Sequence, residues 1–200
     1  MKCKIYSYKD ASILLDKNND YIDFMNIIDN FDETELISIY KADKFTSISN
    51  AFRKYMDEKL INDNWGRDNY IFKDTTYSTK KWTNLYTKNG IALNFGFDHR
   101  FSICWYLMKG ELDSRANYIS KNGYRNYHII ITGTKSFLSV NGFDAAVGSY
   151  QEYIEYLKPF EILLNTPIIL IGLHEFNTFK IQKIKSNGKS IGQIIMNSGI

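Results

Sequence analysis

The sequence predicts an α/β fold: a mixed central sheet flanked by helices, with a C-terminal β-hairpin. Three observations predict it. Residues 127–132 (YHIIIT) and 167–173 (PIILIGL) are compact apolar runs that read as strands buried on both faces. Segments with apolar residues at helical spacing alternate with these runs, as sheet-and-helix layers require. Residues 179–184 and 191–196 are two further β-rich runs, joined around Asn187-Gly188, a favoured hairpin turn pair.

Taken in order, Tyr21, Phe24, Ile27, Ile28 and Phe31 predict a first amphipathic helix over about 20–30, capped by Asn19 or Asp20. A short strand is expected over 36–41. Ile48, Phe52, Tyr55, Met56 and Leu60 mark a second helix over about 49–61. Residues 70–92 are rich in Thr, Tyr and Trp and break at Asn89-Gly90, which predicts strands joined by a turn. A strand over 91–97 follows, with an apolar stretch 101–108 behind it. Gly110 is read as an interruption before a helix over 111–120, and 132–148 as a Gly/Ser/Asn-rich loop. Ser149 opens a helix that places Tyr153, Tyr156 and Leu157 on one face. No repeat or composition shift marks a linker, so residues 1–200 are expected to form one domain.

The net charge of +3 admits a nucleic-acid partner without demanding one. Aromatic side chains are frequent at 16%, and core filling accounts for them as well as base stacking does. Cys3 and Cys104 are the only cysteines, which is no disulfide framework. No apolar run is long enough to span a bilayer and no signal peptide is visible, so a cytoplasmic protein is expected.

Common catalytic patterns are missing. His99, His128 and His174 are far apart, and His174-Glu175 lacks the second histidine that a zinc-binding helix needs. Gly188-Lys189-Ser190 echoes the end of a phosphate-binding loop, but Lys183 stands where the leading glycine belongs and two strands flank it. Metal-dependent phosphodiester cleavage needs carboxylates on neighbouring strands. Asp57-Glu58-Lys59 has suitable letters but reads as a solvated helix face. Asp98-His99-Arg100 reads first as a loop salt bridge.

Asn50-Ala51-Phe52, Trp65, the strand 129–132, Ser149-Tyr150-Gln151-Glu152 and the strand 167–173 occur in an order that resembles a known family. The chain is similar, over nearly its whole length, to type II restriction endonucleases of the BglII and BstYI kind, which recognise sites containing GATC. The resemblance implies a restriction-endonuclease-like PD-(D/E)xK core, a homodimer, double-stranded DNA as partner and Mg²⁺ as cofactor if active. It places the family's Asp, Glu and Gln positions on Leu85, Asn94 and Gly96, with Asn84 beside the first. None carries a charge, so the usual cleavage chemistry is expected to be absent, and with it the metal. By the same resemblance Lys80, Lys81, Lys88, His99, Arg100, Lys121, Arg125 and Lys135 lie in segments that face a duplex. Asn141 is expected to keep an amide able to read adenine.

The favoured expectation is therefore a catalytically degenerate nuclease that still binds DNA. An active Mg²⁺-dependent endonuclease would need a site rebuilt on Asp98, Glu111 or Asp113. A protein-binding module (a partner subunit, immunity protein or regulator) would fit the aromatic content and modest charge equally well.

Overall fold

The structure, a computed structural model, describes residues 1–43, 46–79, 82–115, 126–186 and 188–197. Its centre is a six-stranded sheet in the order β1-β6-β5-β4-β3-β2. The strands are β1 (Cys3–Tyr8), β2 (Gly66–Tyr70), β3 (Thr83–Lys88), β4 (Ile91–Phe95), β5 (Tyr127–Gly133) and β6 (Ile168–Leu173). β4, β5 and β6 run parallel, whereas β1 and the β2-β3 pair join them antiparallel. The mixed sheet is thus as expected. So is the separate hairpin of β7 (Phe179–Ser186) and β8 (Lys189–Met196), although Asn187 in its turn lies outside the described residues.

Side-chain alternation along the parallel strands divides the core in two. Ile129, Ile131, Ile169, Ile171, Leu93 and Phe95 face one layer, built from α2 (Asn19–Asp29), α3 (Glu33–Asp43), α4 (Ser49–Asn62) and the hairpin. Ile130, Ile168 and Leu170 face the other, where α5 (Ile103–Ser114) contributes Ile103 and Leu107 and α7 (Tyr150–Phe160) contributes Tyr153 and Leu157. α7 begins with a full capping box, Ser149 accepting from the Glu152 N–H while Glu152 accepts from Ser149.

Several elements differ from the sequence expectation. Residues 36–41 belong to helix α3: Asp32 caps it by accepting from the Thr34 and Glu35 N–H groups, and Leu36 and Tyr40, four apart, share its buried face. The cap of α2 is Asn18, one residue earlier than expected. Gly110 does not interrupt α5; a Cβ there would sit 2.3 Å from His128 Nδ1, so the glycine lets the helix lie close on β5. Residues 116–120 of the expected helix lie outside the described residues. Within the expected 132–148 loop stands α6 (Lys135–Val140), capped by Thr134 and anchored by buried Phe137 and Leu138. β1 and α1 (Ala11–Leu15) were not foreseen.

Candidate functional site

A cleft of about 700 Å³ opens where α4, β3, β4 and α5 meet. Leu85 and Asn94, the positions picked out by resemblance, both line it. They are neighbours because β3 and β4 form a tight antiparallel pair around the positive-φ residues Asn89 and Gly90. The backbone pairing runs from Lys88↔Ile91 to Tyr86↔Leu93. At the next step the Leu85 N–H donates to the Asn94 side-chain Oδ1 at 3.1 Å.

Asn94 is the hub of a buried polar chain. Its Nδ2 donates to Asn84 Oδ1 at 2.7 Å and lies 2.9 Å from His128 Nε2. Asn84 Nδ2 in turn donates to Asp113 Oδ2 at 2.5 Å. An amide nitrogen only donates, so the contact assigns the lone pair to His128 Nε2 and the proton to Nδ1. Nδ1 itself is buried with no hydrogen-bond partner among the described residues. Burial, aided by the charge of Lys109, pushes the His128 pKa down to about 3, so the ring is neutral.

This donor set does not fit Mg²⁺, which asks for anionic oxygens. Leu85 offers none, and the Asn94 oxygen already accepts from the backbone. Gly96 is closed off as well: a Cβ there would lie 2.3 Å from the Tyr153 hydroxyl. Among the described residues no group of three or more His, Cys, Asp or Glu is arranged to hold a metal ion.

The three fallback carboxylates are dispersed rather than gathered. Glu111 is buried, accepting from the Asn165 and Thr166 N–H groups and from Arg115. Its burial works to raise its pKa, but these donors outweigh that and hold it below the ordinary value. Asp113 is buried against Asn84. Only Asp98 reaches the cleft, where it accepts from the Tyr106 hydroxyl and pairs with Arg53 at 3.8 Å. A site on Glu111 or Asp113 would need that residue to leave its internal partners.

Other residues fall as follows. Asn141, expected to read adenine, is fully buried in this structure, its Nδ2 donating to the Phe137 carbonyl. Arg100 is engaged by Glu152 at 3.2 Å and by the Ala145 carbonyl, and Lys88 by Asp20 and Asp63. Lys88 is largely covered by its partners, whereas the Arg100 side chain stays partly exposed. His99 and Lys135 are exposed. Lys80, Lys81, Lys121 and Arg125 lie outside the described residues. Asp57 is no solvated bystander: it lines the cleft, accepting from the Tyr86 hydroxyl at 2.8 Å and from Arg67 at 2.7 Å.

Sequence reasoning missed Arg53, Tyr106, Lys109 and His128. Arg53 and Asp57 stand four apart on one face of α4, a helical-spacing signal that could have found them. Lys109 and His128 come from separate elements and left no local pattern.

The family described as restriction endonuclease BglII/BglIII matches residues 3–173. The fold is similar to that of restriction endonuclease BglII complexed with a DNA 16-mer, at 16% identity and a TM-score of 0.66 over 98% of this chain and 100% of that one. It is also similar to free BglII, at 15% identity and a TM-score of 0.56 with the same coverage. Comparison with curated protein sequences gives no match. With a match spanning most of its length, the chain belongs to the BglII/BglIII restriction endonuclease family.

Proposed function

We propose that this protein binds double-stranded DNA as a cytoplasmic single-domain homodimer and does not cut it. The observation that carries this reading is Asn94: the resemblance assigns it to the family's metal-ligand position, and hydrogen bonds with Leu85, Asn84 and His128 lock its amide. A divalent cation there would meet amide hydrogens instead of carboxylates, and losing such ligands commonly removes several kcal/mol of transition-state stabilisation. DNA binding is supported by the DNA complex of a structural relative and by the cationic surplus of the cleft. Four cations (Arg53, Lys54, Arg67, Lys109) face three carboxylates (Asp57, Asp68, Asp98), leaving one positive charge. Exposed His99 and Lys135 add phosphate-facing donors.

The test is a pair of assays on the purified protein. Gel shift at low salt is expected to show duplex binding, by a species of dimer stoichiometry. Plasmid incubated with Mg²⁺ or Mn²⁺ is expected to stay intact. Cleavage abolished by Asp98→Ala would replace this reading with that of an active nuclease, and absence of any shift would remove DNA as the partner.

A further inference from the structure

We propose that Lys109 and Arg53 form a metal-independent subsite for one phosphodiester group of the DNA backbone, at the α5 end of the cleft. The inference rests on the DNA-binding reading and specifies how this cleft would engage its partner.

Lys109 is 8% exposed, lines the cleft, and makes no hydrogen bond or ion pair among the described residues. Its ammonium lies 5.8 Å from the centre of the Trp105 ring and 5.4 Å from that of Tyr106. Ring faces attract a cation but supply no anion and no hydrogen-bond acceptor of ordinary strength. The ammonium reaches the cleft from a largely covered stem, and its pKa is lowered by partial desolvation against a smaller opposing pull from Asp98. Its neighbours are already engaged: Asp98 accepts from Tyr106 and pairs with Arg53.

The Arg53 guanidinium approaches the same end, 3.4 Å from the Phe95 carbonyl, with its charge only loosely met by Asp98 at 3.8 Å. Two cations and one half-exposed carboxylate thus share this end of the cleft, an excess of one positive charge. That matches the single negative charge of a phosphodiester, whose two free oxygens would give Lys109 an acceptor and Arg53 a second one. Since an ammonium provides the charge, no divalent ion is required.

The experiment measures duplex binding by fluorescence anisotropy over a range of salt, in EDTA and in Mg²⁺, for the wild type and Lys109→Met. Wild-type binding should persist in EDTA and not be strengthened by Mg²⁺. The Met variant should bind several-fold more weakly at low salt, with a slope of log affinity against log salt smaller by about 0.9, the loss of one phosphate contact. Thermal unfolding of the free protein provides the folding control: methionine keeps the packing of the lysine stem, so Lys109→Met should melt close to the wild type, and weaker binding cannot then be laid to misfolding. An unchanged slope in the folded variant, or wild-type binding that needs Mg²⁺, overturns the proposal while leaving DNA binding standing. Absence of wild-type binding at low salt overturns both. The probe for a free ligand is inorganic phosphate. A phosphate-induced thermal shift that Lys109→Met abolishes, with the DNA slope unmoved, would reassign the subsite to free phosphate and also overturn the proposal.

Discussion

His128 sits at the end of the Asn84-Asn94 chain, fully buried, with its pKa pushed down from 6.5 to about 3. The unfolded chain takes up a proton near 6.5 while the native ring refuses it until about pH 3. The stabilisation from keeping this ring neutral is therefore whole above pH 6.5 and drains away as pH falls toward 3. Between about pH 7 and pH 5 the loss amounts to roughly 2 kcal/mol, at about 1.4 kcal/mol per pH unit below the unfolded pKa. Urea unfolding at the two pH values should show it in the wild type. The slope should flatten in His128→Gln, whose amide oxygen can still accept from Asn94; an equal pH dependence in both proteins would exclude His128 as its source.

At the scale of elements, α5 carries much of the architecture and of the site. Leu107 packs into the core, Glu111 ties the segment before β6, and Gly110 brings the helix against His128. Gly110→Ala would drive a methyl into that ring, and overpacking of this kind costs about 1–3 kcal/mol. Denaturant midpoints measure the loss, which should be relieved in part by Gly110→Ala combined with a smaller residue at 128. The sequence disclosed elements whose periodicity was long or whose runs were wholly apolar: α2, α4, α7, β5, β6 and the hairpin. It misled at residues 36–41, where Ile37 and Ile39 suggest alternation but the Asp32 cap and the Leu36-Tyr40 spacing favour a helix. β1 escaped notice because it is an edge strand whose Lys4 and Ile5 are both exposed, which erases the period of two. The site was half legible. The resemblance picked out Leu85 and Asn94, and both line one cleft, but Lys109 and Arg53 join them only through the packing of α4 and α5, with His128 of β5 buried behind Asn94.

Over the whole molecule, one sheet serves both core layers, with Ile129 and Ile131 on one face and Ile130 on the other. Neither layer retains its partner surface if the sheet dissolves, so the two should unfold together. Phe52→Ala, in the first layer, should cost about 3–5 kcal/mol, and Leu107→Ala, in the second, about 2–5 kcal/mol. Each should shift the same single transition followed by circular dichroism and by tryptophan fluorescence. Two separated transitions in either variant would show that the layers are independent units.

The contact between Gly96 and Tyr153 gives this cleft a direction in sequence space. Gly96 is pinned on both sides, its N–H donating to the Ile131 carbonyl and its carbonyl accepting from the Thr132 hydroxyl, so it cannot slide away from the phenol. Gly96→Gln alone should therefore abolish soluble folded protein. The same change made after Tyr153→Ala should be tolerated, as solubility and thermal melting of the two variants would show. Mutational routes to a side chain here are gated by a residue on α7, and the order of steps decides whether any intermediate survives.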